Sequence, residues 1–194
     1  MRTDTPQPVF LQDYKPYPFD IPTVSMVFEL DPAKTRVLTT MQVKRTGDAQ
    51  ADMVLDGQAF VETGEILING KAPEPYQIEF SETGLTLRGV PNEFELKTEV
   101  WISPENNTEL SGLYMSGGRF CTQCEAEGFR RITYWPDRPD VMSVFSVRIE
   151  ADVSFAPTLL SNGNPGEAGA INEDRHFAEW HDPHRKPSYL FALC

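Results

Sequence analysis

In the stretch "FELKTEVWIS", Phe94, Leu96, Thr98, Val100 and Ile102 fall on one side, and Glu93, Glu95, Lys97 and Glu99 fall on the other. Successive side chains of an extended chain project to opposite faces, so this run specifies a strand with one buried face and one wet face. The same alternation recurs in "TVSMVFEL", where Val24, Met26, Phe28 and Leu30 oppose Ser25 and Glu29. It recurs again in "VFSVRIEAD", where Phe145, Val147, Ile149 and Ala151 oppose Ser146, Arg148 and Glu150. After "TVSMVFEL", the turn "DPAK" leads into "TRVLTTMQVKR", which places Val37, Thr39, Met41 and Val43 on its own face and closes a hairpin. Asn69-Gly70 is a type I′ turn signal, "IEF" and "LTL" bracket a turn at "SETG", and the closing "SYLFALC" reads as strand. Strands of about 6 to 10 residues with frequent turn signals predict a mainly β fold, a mixed or antiparallel sheet domain that is β-sandwich-like with little helix. A short helix is expected only after Cys124 or around "RPDVM", and "SPENNTELSG" and "NGNPGEAG" read as loops.

The chain has 194 residues, of which 40% are hydrophobic, enough for the core of a single domain spanning 1–194. The 16 prolines and 13 glycines suit turn-rich β structure. No apolar run approaches a membrane span, and "MRTDTPQPVF" lacks the apolar centre of a signal peptide, so a soluble, cytoplasmic protein with no membrane partner is expected. A net charge of −12 argues against nucleic acid as a partner, because phosphates are repelled. The acidity serves solubility, or a field that favours cationic ligands. The apolar ending "YLFALC" suggests a piece of a longer chain, with a terminal strand docked in the sheet as the alternative.

The densest stretch of chemistry is "CTQCEAEG", residues 121–128. Cys121 and Cys124 have the spacing of half a zinc site, but the nearest partners, His176, His181, His184 and Cys194, are remote in sequence. The spacing also matches redox pairs, which belong to βαβ units that this chain lacks. Packing as small buried hydrophobes is the simplest reading of both sulfurs. If 121–125 is extended, Cys121, Gln123 and Glu125 share a face, and Gln123 and Glu125 together form a receptor for an ammonium group. An ammonium about 4 Å from a carboxylate gains roughly 4 kcal/mol at an effective dielectric near 20, of which about 1.5 to 3 survives desolvation. Spacing alone favours ordinary solvated carboxylates at Glu125 and Glu127.

The block "SGLYMSGGRFCTQCEAEGFRRITYWPDRPDVMSVFSVRIEAD" resembles the N-terminal domain of the aminopeptidase N family of zinc metallopeptidases, in its bacterial branch. The resemblance extends upstream to "DYKPYPFDIPTVSMVFELDPAKTRV" and downstream to "LLSNGN" and "HDPHRKPSYLFAL", which is essentially the whole chain. It implies a saddle-shaped β domain packed beside a thermolysin-like catalytic domain, expected after residue 194. It implies that Gln123 and Glu125 hold the free α-amino group of peptide substrates, and that the Glu125–Ala126 peptide is cis. It implies zinc in the full-length enzyme, with no catalytic or metal-binding residue in this chain.

The family's H-E-x-x-H and G-A-M-E-N motifs are not in these residues; "HFAEWH" and "GAINE" only superficially resemble them. This chain alone is therefore expected to be inactive. The alternative function is a stand-alone β-rich module that binds peptides or proteins without catalysis. His176, His181 and His184 read as surface or packing residues, and Arg130, Arg131 and Arg138 as partners of local carboxylates. Tyr114 and Phe120 read either as pocket neighbours or as core.

Overall fold

The computed structural model describes residues 10–194, so the opening segment read for a signal peptide lies outside the described residues. The strands are β1 (Phe19–Glu29), β2 (Thr35–Arg45), β3 (Met53–Asp56), β4 (Glu62–Ile68), β5 (Ile78–Ser81), β6 (Gly84–Leu87), β7 (Glu93–Ile102), β8 (Gly112–Ser116), β9 (Arg119–Gln123), β10 (Met142–Asp152), β11 (Asn164–Ala170) and β12 (Arg175–Pro187). Seven of them form one sheet in the order β11-β12-β10-β1-β2-β7-β4. Its neighbours are antiparallel except β1 and β10, which run parallel from Thr23 opposite Val144 to Glu29 opposite Glu150. The order β3-β6-β5 makes a second sheet, and β8 and β9 form a hairpin. The architecture is mainly β, mixed and antiparallel, as the alternation predicts. No helix among the described residues is long and apolar enough to cross a membrane.

One face of the large sheet carries the core. Val24, Met26 and Phe28 of β1, Val37, Met41 and Val43 of β2, and the five inward residues of β7 are all buried. Phe145, Val147, Ile149 and Ala151 of β10 are buried as well. Met53, Leu55, Leu85 and Leu87 of the small sheet join the same apolar cluster. Burying this much apolar surface is the main force assembling the layers. Polar residues enter only with partners: Thr133 Oγ1 lies 2.8 Å from Thr39 Oγ1 and 3.3 Å from Thr98 Oγ1, all three buried. The opposite face carries charge, with Arg36 between Glu29 and Glu99 and Arg148 between Glu150 and Glu179.

Asn69 and Gly70 have φ of 50° and 75°, the left-handed pair that a type I′ turn requires, and Ile68 bridges Lys71 across them. Three expectations need correction. "NGNPGEAG" is largely strand β11, not loop: all seven residues of β11 are exposed, so no burial alternation marks it, and its ladder to β12 is what defines it. "SYLFALC" forms a 3-10 turn at Ser188–Leu190 and then a single bridge, Ser161 to Leu193. Pro187 ends β12, and Ser188 Oγ donates to Asp137 Oδ1 at 2.6 Å, which draws the chain away from the ladder. The short helix expected after Cys124 is a 3-10 turn, Phe129–Arg131, and "RPDVM" is a turn leading into β10.

Candidate functional site

The β8–β9 hairpin presents the stretch 121–128. Gly117 and Gly118, both with positive φ, turn the chain so that Gly112 stands opposite Gln123 and Leu113 opposite Thr122. Extension stops at Gln123; residues 125–128 form a turn closed by the Gly128 N–H donating to Cys124 O at 2.8 Å. The Glu125–Ala126 peptide is cis. Gly128 has no room for a side chain: a methyl there would collide with the carbonyl oxygen of Gln123 and lie 3.0 Å from Cys124 Cα. Beyond it, Phe129 is fully buried against Trp135, Phe145 and Phe191, with ring centroids 5.5, 6.0 and 5.2 Å away. The turn is thus anchored at one end by the hairpin and at the other by the aromatic core.

Gln123 and Glu125 are both exposed. They are neighbours through the turn and not through a continuous strand, which corrects the shared-face expectation. Gln123 Nε2 donates to the backbone carbonyl of Glu125 at 3.1 Å. This uses one of the two Nε2 hydrogens and leaves Oε1 as an acceptor. No ion pair or hydrogen bond involves Oε1 or the Glu125 carboxylate among the described residues.

Glu125 lines an open cleft of about 340 Å3 together with Gln58, Glu109, Ser111, Glu127, Arg130 and Arg131. Gln123 does not line the cleft, but its exposed side chain reaches the Glu125 backbone at the cleft edge. Arg130 is committed elsewhere: Nε lies 3.2 Å from Asp137 Oδ2, Nη1 3.4 Å from Asp56 Oδ1 and Nη2 3.7 Å from Glu127 Oε1. Arg138 forks onto Asp140, with Nε and Nη2 each 2.8 Å from a carboxylate oxygen. Arg131, by contrast, has no carboxylate partner among the described residues, which corrects the pairing expected of it. It separates this cleft from a neighbouring one of about 260 Å3 that also contains Glu109.

The histidines have local roles. His176 Nε2 lies 2.8 Å from Ala156 O, His181 Nδ1 lies 3.0 Å from Ser146 Oγ, and His184 is exposed. Phe120 packs in the core edge-on to Phe155, and Tyr114 is half-buried opposite Cys121; neither lines the cleft. Cys124 is buried, and burial, with the charge of Asp137 adding to it, pushes its thiol well above the ordinary range. Burial, with Cys194 adding to it, raises the Cys121 thiol above its ordinary range. No three His, Cys, Asp or Glu side chains cluster as a metal ligand set among the described residues.

Sequence reasoning did not find Gln58, Glu109 or Ser111, which reach the cleft from remote segments with no motif to mark them. Gly128 did carry a local signal, a glycine closing a polar turn.

Residues 81–190 match the model for the peptidase M1 N-terminal domain. The chain belongs to that family. The M1 N-terminal domain described here is 55% identical to Aminopeptidase N of Caulobacter vibrioides over 193 residues, covering 100% of this chain and 22% of that protein. It is 43% identical over 192 residues to Aminopeptidase N of Escherichia coli, covering 98% of this chain and 22% of that one. A crystal structure of Legionella pneumophila aminopeptidase A in complex with aspartic acid superposes with a TM-score of 0.87 at 30% identity, over 94% of this chain and 22% of that one. An M1 zinc metallopeptidase from Deinococcus radiodurans shares the fold, with a TM-score of 0.76 at 15% identity, over 90% of this chain and 41% of that one. This M1 domain therefore spans about a fifth of the length of the curated relatives it matches.

Proposed function

We propose that this chain is the N-terminal domain of a zinc-dependent aminopeptidase and that Glu125, with Gln123, holds the free α-amino group of the peptide. The observation that carries the reading is an exposed carboxylate at a cleft edge, free of ion pairs among the described residues, beside an amide whose oxygen accepts from no protein donor among them. A peptide ammonium offers three donors and a positive charge; Glu125 accepts two of those donors and Gln123 Oε1 the third. The cleft lining sets the carboxylates of Glu109, Glu125 and Glu127 against the guanidinium groups of Arg130 and Arg131, a small negative excess.

The relatives named Aminopeptidase N support the activity, and their greater length supports a catalytic domain that follows residue 194. Zinc supplies Lewis-acid chemistry in such an enzyme. It would be held by residues outside this chain, whose own part is positioning. Gripping the ammonium fixes which peptide bond meets the catalytic centre, and a displacement of about 1 Å can cost a hundredfold in rate.

The test uses the full-length enzyme. Glu125→Ala removes an interaction of about 1.5 to 3 kcal/mol, so kcat/KM for aminoacyl arylamides should fall by at least tenfold. N-acetylated substrates, which lack the ammonium, should be poor for wild type and no worse for the variant. Unchanged kinetics in Glu125→Ala, or good turnover of acetylated peptides, would remove Glu125 from the site.

A further inference from the structure

We propose that Thr122 is a positioning residue for Glu125: its hydroxyl ties the turn that carries the carboxylate to residues 191–193, the segment that leads towards the catalytic domain. This deepens the reading above and rests on it, since placement of Glu125 bears on rate only where Glu125 holds the substrate ammonium.

The hairpin needs such a tie. β9 pairs with β8 along one edge, with Leu113 opposite Thr122, and no third strand joins the pair among the described residues. A side chain takes the place of the missing bridge. Thr122 Oγ1 accepts the Leu193 N–H at 2.8 Å and donates to Leu193 O at 3.3 Å. A hydroxyl can do both at once because it carries one donor and two acceptor lone pairs. The next residue, Gln123, donates from Nε2 to the Glu125 backbone carbonyl at 3.1 Å, so the tie reaches Glu125 within three residues.

The far end of the turn meets the same segment. The Phe129 ring lies 5.2 Å from that of Phe191, which is buried and also packs on Phe28 of β1 and Phe145 of β10, each 5.9 Å away. Residues 160–162 hold the segment as well. The Ala192 N–H donates to Asn162 Oδ1 at 2.7 Å, Ser161 Oγ donates to Ala192 O at 2.8 Å, and Leu160 and Cys194 exchange backbone hydrogen bonds of 2.8 and 3.0 Å. Residues 191–193 are thus fixed by the large sheet and by a second loop, and they bracket the turn at Thr122 and Phe129. A group that must sit in one place is set by the shell that supports it. Without the Thr122 hydroxyl, the Leu193 N–H loses its acceptor and the start of the turn is free to shift, and a shift of about 1 Å in a substrate anchor can cost a hundredfold in rate.

The experiment uses the full-length enzyme and a mutant cycle. Thr122→Val removes the hydroxyl and should lower kcat/KM for aminoacyl arylamides by about tenfold, whereas Thr122→Ser keeps the hydroxyl and should stay within about twofold of wild type. In a Glu125→Ala background, Thr122→Val should add no further loss, because the grip that it positions is already gone. A purely structural role would cost the same factor in both backgrounds. Should Thr122→Val not fold, Phe191→Leu asks the same question from the other end of the turn, with a loss expected in wild type and none added to Glu125→Ala. Wild-type kinetics in Glu125→Ala would bring down the site reading and this inference together. With Glu125→Ala impaired, the site reading stands, and three results would each overturn the inference alone: an unimpaired Thr122→Val, a Thr122→Ser as poor as Thr122→Val, or additive losses in the double variant.

Discussion

Asp140 is held by four donors from two stretches of chain: Arg138 Nε and Nη2, and, from the opening segment, the Tyr14 hydroxyl at 3.0 Å and the Tyr17 N–H at 3.2 Å. Arg138 is the main reason that its carboxyl is held down to about 2, and the two tyrosine contacts add to the effect. The folded value lies below the unfolded value of about 3.9. The resulting stability is therefore complete above about pH 4 and is lost as pH falls towards 2. Asp140→Asn should destabilise the protein at pH 7 by about 1 kcal/mol, since the pair is partly solvated. The difference from wild type should vanish near pH 2, as read by urea unfolding at the two pH values. Gln123 and Glu125 were legible at this same scale for a different reason. An amide and a carboxylate two apart are visible in any sequence, but their exposure and freedom from Arg130 are not.

At the scale of elements, the site turn depends on its aromatic anchor. Phe129 opens the 3-10 turn that follows Gly128, and its ring is shared among Trp135, Phe145 and Phe191. Phe129→Ala should cost about 3 to 5 kcal/mol, the range for emptying a buried aromatic site, and calorimetry or urea unfolding measures it. The loss should also loosen residues 124–128, which faster amide exchange there would reveal. Strands with one wet face, such as β1, β2, β7 and β10, could be read from the sequence because burial writes a period of two into it. β11 could not, because an edge strand exposed on both faces carries no such record. The ending "SYLFALC" kept the period, with Phe191 and Leu193 buried, but the turn at Ser188–Leu190 interrupts the ladder.

At the scale of the whole molecule, Asp137 ties remote parts together. Its side chain is 1% exposed and accepts from the Arg130 backbone N–H, Arg130 Nε and Ser188 Oγ. Its own N–H donates to Asp56 Oδ2 at 3.0 Å, which joins the small sheet to the site loop and the closing segment. Arg130→Met should destabilise the protein by about 3 to 5 kcal/mol, because it leaves a buried carboxylate without its counter-charge. Adding Asp137→Asn to that variant should restore part of the loss, and urea unfolding of the pair tests this.

The sequence by itself determined the β character, the inward face of the main strands and the tight turns. Those features are local: they follow from side-chain period, turn chemistry and residue type. Only the tertiary structure decided that β10 lies parallel to β1 and that Arg130 serves Asp137 and not Glu125. Each of these joins residues distant along the chain, and such partners are selected by which packing buries the most apolar surface while satisfying every buried charge. No spacing rule encodes that choice.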